Sequence, residues 1–365
     1  MARPLRDMAV FDSFSGRGCS CNPRAICAEL RRTNPDLERV WVTRDGQFSI
    51  PGGDRAVVAD SRAHFEALAR ARYVISNDLL PTWFRKRDGQ FCLQTWHGTP
   101  LKRIGLDIDR PQFASGLIYP DLLRADAANW DVLLSQNQFS TPIFQRALAF
   151  DGEILESGYP RNDLLYQPDG GERAAEIRLR LGIPADKRVV LYAPTWRDDA
   201  VRETGGYRFQ LQLDLGAAAK ALGADHVLLL RLHTNLRGEQ APRTDGVIDV
   251  TRYPDITDLY LISDVMITDY SSVMFDFAGT GRPILFFTYD MERYRDRLRG
   301  FYFDFEADAP GPLLRTSDEV LETLRGIEQV EAPYRQAYRA FAAKYCALDD
   351  GAAAARAVER LLAGP

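Results

Sequence analysis

Short apolar runs rich in β-branched residues alternate with segments of helical spacing along this chain, and parallel βαβ units are the arrangement that such alternation supports. Met8-Ala-Val-Phe11 opens the series and a Gly-rich loop at 12–18 follows. Asn22 and Pro23 read as an N-cap and a first-turn proline for a helix over 24–32, which shows its apolar stripe at Ile26 and Leu30. Further strands are expected at 40–43, 56–59, 73–77, 132–136 and 153–156, with a helix at 62–70 and a helix start at Ser140-Thr141-Pro142. Between them Phe91-Cys-Leu-Gln-Thr-Trp-His97-Gly98-Thr99-Pro100 reads as a buried strand emptying into a tight turn with an imidazole at its mouth.

The alternation pauses at the polar, Gly-rich stretch 167–171 and at a charged helix that ends in Gly182-Ile-Pro184. It restarts with strands at 188–193, 226–233, 247–250, 264–268 and 283–287 and a small-residue helix at 215–222, and it closes with helices at 318–328, 334–345 and 351–363. At 365 residues the chain exceeds one ordinary core, so two α/β domains are expected, 1–165 and 166–349. No sequence repeat links them, yet each half carries a strand ending in a histidine, His97 and His233.

Composition narrows the class. The 45% apolar and 27% charged fractions are those of a soluble globular protein, and a net charge of −5 argues against a general nucleic-acid binder. Five cysteines without CxxC spacing suggest a reducing compartment and neither a disulfide framework nor a zinc site; Cys19 and Cys21 read as loop residues. No apolar signal core opens the chain and no run is long enough to span a bilayer. A cytoplasmic protein is therefore expected, with contact to the inner face of a membrane left open. The basic runs 85–87 and 293–299 fit either solvated faces or a membrane or polyanion contact.

Ligands of open α/β sheets bind outside the carboxyl ends of the strands, which makes His97 a candidate for chemistry; a histidine satisfied within its turn is the alternative. Asp269-Tyr-Ser271-Ser272-Val-Met-Phe-Asp276 closes one strand and opens a helix, so its two hydroxyls stand beside free amides and the positive end of a helix dipole. Plain N-capping would explain them too. Arg231 and His233 should lie on a neighbouring strand end, and cation, imidazole and helix start together point to a diphosphate. Lys102, Arg103, Arg161 and Arg197 follow strand-end turns, from which long cations either reach a shared cleft or stay solvated. His64, on a surface-type helix, and His226, at a strand start, are expected to be non-functional, and Trp96 and Trp196 to pack rather than stack on a base. Neither HExxH, nor an acidic DxD after a strand, nor a P-loop occurs, so phosphate charge is expected to be met by protein groups, with no metal and no cofactor.

Taken in order, Asn22-Pro-Arg24, Trp96-His97-Gly-Thr-Pro-Leu-Lys102, Ser157-Gly-Tyr-Pro-Arg161-Asn-Asp163, Ala193-Pro-Thr195-Trp-Arg197, Arg231-Leu-His233 and Thr268-Asp-Tyr-Ser-Ser272 with Phe275-Asp276 resemble the CDP-glycerol glycerophosphotransferase family, the primases and polymerases of bacterial teichoic acid and related capsule synthesis. The likeness runs over nearly the whole chain. It implies an α/β, GT-B architecture: two Rossmann-like domains with parallel sheets facing a central cleft, the nucleotide on the second, the acceptor on the first, and a last helix, 350–365, crossing back to the first domain. Residue by residue it implies His97 as catalytic base and His233 as a second essential histidine. Arg231, Ser271 and Ser272 fall near the donor diphosphate, with Asp269, Asp276, Thr195 and Arg197 in the same group. Gly98, Thr99, Lys102, Arg161 and Asp163 fall on the acceptor side of the cleft, and Thr234 stands where the family carries proline. The implied reaction moves glycerol phosphate from CDP-glycerol to a hydroxyl of a glycan, lipid-linked or polyol-phosphate acceptor of cell wall or capsule, releasing CMP; no nucleic acid partner is implied. A CDP-ribitol enzyme, a GT-B glycosyltransferase using a nucleotide-sugar, and a non-catalytic scaffold are the alternatives.

Overall fold

The computed structural model describes residues 4–44, 48, 50–109, 118–195, 197, 211–233 and 244–364. Alternation along the first strand explains its position: Met8 and Val10 point into one apolar layer and Ala9 and Phe11 into another, so β1 (Arg6–Asp12) is covered on both faces. Around it lie β2 (Glu38–Thr43), β3 (Arg55–Val58), β4 (Ala71–Ser76), β5 (Phe91–Gln94), β6 (Val132–Ser135) and β7 (Glu153–Glu156). All pairings are parallel, in the order β3-β2-β1-β4-β5-β6-β7. Phe11 sits opposite Trp41 in the β1–β2 register and stacks on it at 5.0 Å.

A second parallel sheet holds β8 (Arg188–Ala193), β9 (His226–Leu230), β10 (Val247–Asp249), β11 (Val265–Thr268), β12 (Ile284–Phe287) and β13 (Leu313–Leu314), in the order β10-β9-β8-β11-β12-β13. In both sheets the strand order reverses beside the first strand, at β1/β4 and at β8/β11. Such switch points open a crevice at the carboxyl ends of the strands. The two-residue β13 is too short for a sequence period to reveal.

Helix Glu331–Tyr345 packs through Phe341 and Tyr345 on the second core. Helix Ala353–Leu362 returns to the first, burying Ala357, Val358 and Leu361 beside Phe11 and Trp41. Asp163 starts this last helix by accepting the amides of Ala353 (3.0 Å) and Ala354 (2.7 Å). Its carboxylate thereby satisfies helix-end amides, while the residue also lines a cavity of about 580 Å³ shared by both units, with Arg24 and Asp255 among its walls.

Other local expectations shift too. The helix expected at 24–32 spans Cys21–Thr33 with Ser20 at its cap, so Asn22 and Pro23 lie in its first turn and Cys21 is helical rather than in a loop. His64 is 1% exposed, not on a surface face; its Nδ1 accepts the Asp60 amide at 3.0 Å and its ring meets Trp83 edge-on at 5.4 Å. The run 85–87 is fastened to its own fold: Arg85 donates to the Thr82 and Phe84 carbonyls, Lys86 pairs with Asp131, and Arg87 donates to the Ala69 carbonyl. All five cysteines are free and buried. No helix among the described residues is long and apolar enough to cross a membrane.

Candidate functional site

The exit of β5 shapes the first half of the site. Trp96 takes a left-handed φ of +50°, rare for a bulky side chain. Its amide donates to Gln94 Oε1 at 3.0 Å, and Asn22 Nδ2 donates to the carbonyls of Thr95 (3.2 Å) and Trp96 (3.3 Å). This turn sets the half-buried His97 ring against Trp96 (4.9 Å, stacked) and Phe14 (5.6 Å, edge-on), with Nδ1 2.6 Å from the Asn77 carbonyl. A carbonyl only accepts, so Nδ1 carries the proton and Nε2 keeps its lone pair. Burial lowers the pKa of His97 from 6.5, which favours the neutral, proton-accepting ring.

The second half comes from three strand exits of the other sheet. β8 runs into Pro194 and Thr195, β9 into Arg231, Leu232 and His233, and β11 into Asp269 through Ser272 before the short helix Val273–Ala278. Each histidine thus stands three residues beyond the last residue of its strand, on the loop, where the sequence suggested the strand end itself. Arg231 is braced by Nη1 donating to the Val250 carbonyl at 2.9 Å and to that of Tyr253.

These elements enclose two lobes. The smaller, about 200 Å³, lies over the β8/β11 switch point and is lined by Arg231, Tyr260, Asp255, Phe14 and Arg17. The larger, about 620 Å³, runs under the β5 exit past Thr99, Lys102, Tyr119, Thr195 and Arg299. His97, Pro194, His233, Ser271 and Ser272 line both, so the two imidazoles and the two hydroxyls stand on the partition. The units meet tightly here: a Cβ on Gly98 would lie 2.6 Å from Ser272 Oγ and 2.9 Å from its Cβ. Thr99 Oγ1, fully buried, donates to Gln136 Oε1 at 2.6 Å and fixes the same loop from behind.

Several expected ligand-binding residues have other work. Arg197 gives Nη1 to Asp269 Oδ2 (2.9 Å), and Nε and Nη2 to Asp290 (2.9 and 2.8 Å), among the rings of Tyr270, Tyr289 and Tyr294. Asp269 Oδ1 accepts the Thr195 amide at 2.9 Å. Arg197 and Asp269 are buried and line neither lobe; they hold the β8 and β11 exits together, which corrects their placement at the donor. Asp276 and Arg161 reach the wall of the small lobe, but as a buried ion pair with each other, so neither charge is left for a phosphate. Thr195 lines the large lobe and not the small one. Trp196 and Thr234 lie outside the described residues.

Asn77 and Tyr119 were not singled out as site residues, and local spacing carries no signal for them because distant segments bring them in; Asn22 stood only in a helix start and a motif, and Arg299 only in the basic run 293–299. Among the described residues no group of three or more His, Cys, Asp or Glu is placed to hold a metal ion.

Comparison with known proteins places this geometry. The model of the family CDP-Glycerol:Poly(glycerophosphate) glycerophosphotransferase matches residues 2–363. The chain is 41% identical over 360 residues to the teichoic acid poly(glycerol phosphate) polymerase of Bacillus subtilis (strain 168), covering 97% of this chain and 48% of that protein, so it spans about half of that relative's length. It is 40% identical over 363 residues to the teichoic acid glycerol-phosphate transferase of Staphylococcus aureus (strain NCTC 8325 / PS 47), covering 97% of this chain and 92% of that one. The solved structure of the wall teichoic acid polymerase TagF superposes with a TM-score of 0.91 at 36% identity, over 98% of this chain and 89% of that chain. A UDP-GlcNAc 2-epimerase from Neisseria meningitidis bound to UDP-GlcNAc shares the fold alone, with a TM-score of 0.53 at 12% identity over 98% of this chain and all of that one (100%).

Proposed function

The chain belongs to the CDP-glycerol:poly(glycerophosphate) glycerophosphotransferase family, and from that membership we propose that it transfers glycerol phosphate from CDP-glycerol to a hydroxyl of a teichoic acid polymer and releases CMP. The observation that carries the reading is the partition: His97, His233, Ser271 and Ser272 face both lobes at once, as a transfer between two bound substrates requires.

The donor lies in the small lobe at the switch point, with its diphosphate between Arg231, His233 and the Ser271–Ser272 turn. The acceptor enters the large lobe. Its hydroxyl oxygen attacks the β-phosphorus, the bond from that phosphorus to the CMP oxygen breaks, and the hydroxyl proton passes to His97 Nε2. The lone pair is ready because Asn77 holds the proton on Nδ1 and burial disfavours the imidazolium. CMP leaves with the bonding pair, and Arg231, His233 and the serine hydroxyls offset its charge. In this reading protein groups alone neutralise the phosphates, with no cofactor, and a lipid-linked acceptor is met in the cytoplasm at the inner face of the membrane.

Incubation with CDP-glycerol and a teichoic acid primer tests it, following CMP and product mass. Release of CMP with growth of the primer by glycerol phosphate is expected. Release of a nucleoside diphosphate from a nucleotide-sugar would overturn the reading in favour of sugar transfer, and a preference for CDP-ribitol would overturn the choice of polyol.

A further inference from the structure

The exits of β1 and β4, which flank the switch point of the first sheet, meet beside the partition. β1 runs into the loop 13–18 and β4 into Asn77 and Asp78. Phe14, Ser15 and Gly16 take successive left-handed φ angles of +52°, +55° and +75°. Non-glycine residues hold such angles only where their surroundings impose them. Here the Phe14 amide donates to Asn77 Oδ1 (2.8 Å), Ser15 Oγ to Asp78 Oδ2 (2.8 Å), the Gly16 amide to Asp12 Oδ1 (2.7 Å) and the Arg44 amide to the Gly16 carbonyl (2.7 Å). The loop so fixed presents Arg17, whose Nη2 donates to Asp78 Oδ2 at 3.2 Å. Arg17 lines the small lobe and not the large one, and Asp78 the large and not the small, so this ion pair spans the partition. Both charges are felt at the imidazole: after burial, the largest influence on His97, Asp78 raises its pKa and Arg17 lowers it.

Among the described residues, the guanidiniums lining the small lobe are those of Arg17, Arg161 and Arg231. Arg161 is neutralised by Asp276 in a buried pair, and Arg231 comes from the second sheet at the β9 exit. The Arg17–Asp78 pair is different, with side chains 42% and 27% exposed. An ion pair so open to water is worth little, and Asp78 keeps Ser15 Oγ and the Leu79 amide (2.9 Å) when the guanidinium turns away. In the transfer proposed above, the β-phosphorus lies within reach of the hydroxyl that His97 deprotonates. That is the side of the lobe held by the loop of Arg17, whose Phe14 stands edge-on to His97 at 5.6 Å. We propose that Arg17 clamps the phosphate being transferred, exchanging Asp78 for the two nonbridging oxygens on the β-phosphorus. The inference rests on that transfer reaction and deepens it: Arg231 and His233 hold the departing CMP from the second unit, and Arg17 holds the migrating group from the first. A guanidinium fork suits two phosphate oxygens, and a fixed cation there offsets charge as the bond to CMP breaks. The donor site is then complete only when both units face it.

The test compares CDP-glycerol with CMP, which lacks the β-phosphate, by calorimetry on the full chain. Arg17→Gln should weaken CDP-glycerol about tenfold, the scale of one lost charge-assisted contact, and leave CMP within twofold of wild type. Arg231→Gln should weaken both ligands, because its contact lies on the part they share. Arg17→Lys should recover part of the loss. Asp78→Asn, which releases the guanidinium, should bind CDP-glycerol at least as tightly as wild type. At saturating CDP-glycerol and primer, Arg17→Gln should slow CMP release about 10²-fold, the usual worth of one fixed donor to transition-state charge. Equal loss of CMP and CDP-glycerol in Arg17→Gln, or no loss of either, would overturn the clamp. An Asp78→Asn defect equal to that of Arg17→Gln would also overturn it, since the pair would then only shape the loop. If CDP-glycerol binding alone falls in Arg17→Gln while no acceptor supports CMP release by wild type, the transfer reading fails and the contact stands. Wild-type rates of CMP release in Arg17→Gln would do the reverse.

Discussion

Arg161 and Asp276 pair across the two units, with Nη2 3.0 Å from Oδ1 and 2.8 Å from Oδ2, while Nη1 of the same guanidinium donates to the His97 carbonyl at 2.8 Å. The loop that carries the imidazole is thereby tied to the helix that follows Ser271 and Ser272. Asn162 Nδ2 reinforces the tie on Asp276 Oδ1 at 3.0 Å, and Asn22 Oδ1 accepts the Arg161 amide at 3.2 Å.

Breaking this pair from one side leaves a buried charge without its partner. Arg161→Met or Asp276→Leu should each cost about 3–5 kcal/mol in denaturant unfolding, and the double substitution should cost less than the sum. Single losses under about 1 kcal/mol would show that the pair does not hold the units together.

His97→Gln should lower the rate of CMP release by about 10²–10⁴-fold while CDP-glycerol still binds, the usual worth of a general base. The base works neutral and burial lowers its pKa below 6.5, so the wild-type rate should rise with pH through a point below 6.5 and level off by neutral pH. A profile still rising above pH 8 would assign the proton transfer to another group.

Gly98→Ala forces a methyl to within 2.6 Å of Ser272 Oγ and 2.9 Å of its Cβ. Overpacking of this kind costs about 1–3 kcal/mol. Thermal unfolding of Gly98→Ala with and without Ser272→Gly reads it directly: the second change should return most of the loss, and a loss untouched by it would place the strain elsewhere.

Asp163→Ala should cost about 0.5–2 kcal/mol by uncapping helix Ala353–Leu362, without weakening CDP-glycerol. Unchanged stability would show that this carboxylate does not hold the helix.

Asp126 is buried, accepting from the Leu80 amide (3.3 Å) and Trp130 Nε1 (3.1 Å), and burial, more than these bonds, pushes its carboxyl up to about 7 from 3.8. The folded chain therefore keeps a proton between about pH 4 and 7 that the unfolded chain releases, and this group makes stability fall as pH rises through that window. Asp126→Asn keeps an acceptor and removes the titration. Its stability relative to wild type should improve from pH 4 to 7 by up to about 1.4 kcal/mol per unit, measured by unfolding at each pH.

The two parallel sheets were legible because strands buried on both faces write their period and apolar character into consecutive residues, as in 8–11 and 188–193. The strand-exit loops were legible as well, since glycine, proline and a lone histidine punctuate them. Which polar residues face a ligand was not. Arg197, Asp269, Arg161 and Asp163 read as site residues by position, yet each is consumed by a partner far away in sequence, respectively Asp290, the Thr195 amide, Asp276 and the amides of Ala353 and Ala354. Asn22 failed in the other direction: a residue suited to an N-cap holds the β5 exit instead.

By itself, then, the sequence determined the two-sheet α/β architecture and the loops on which His97, His233 and the Ser271–Ser272 turn stand, because strand periodicity and turn chemistry are local. Only the tertiary structure decided that the cleft is divided at those residues, that Arg299 joins Lys102 on one wall, and that five expected site residues, Arg161, Asp163, Arg197, Asp269 and Asp276, have their charges met within the frame. A charge's role depends on whether another group neutralises it, and that group lies up to about two hundred residues away, where no local pattern records it.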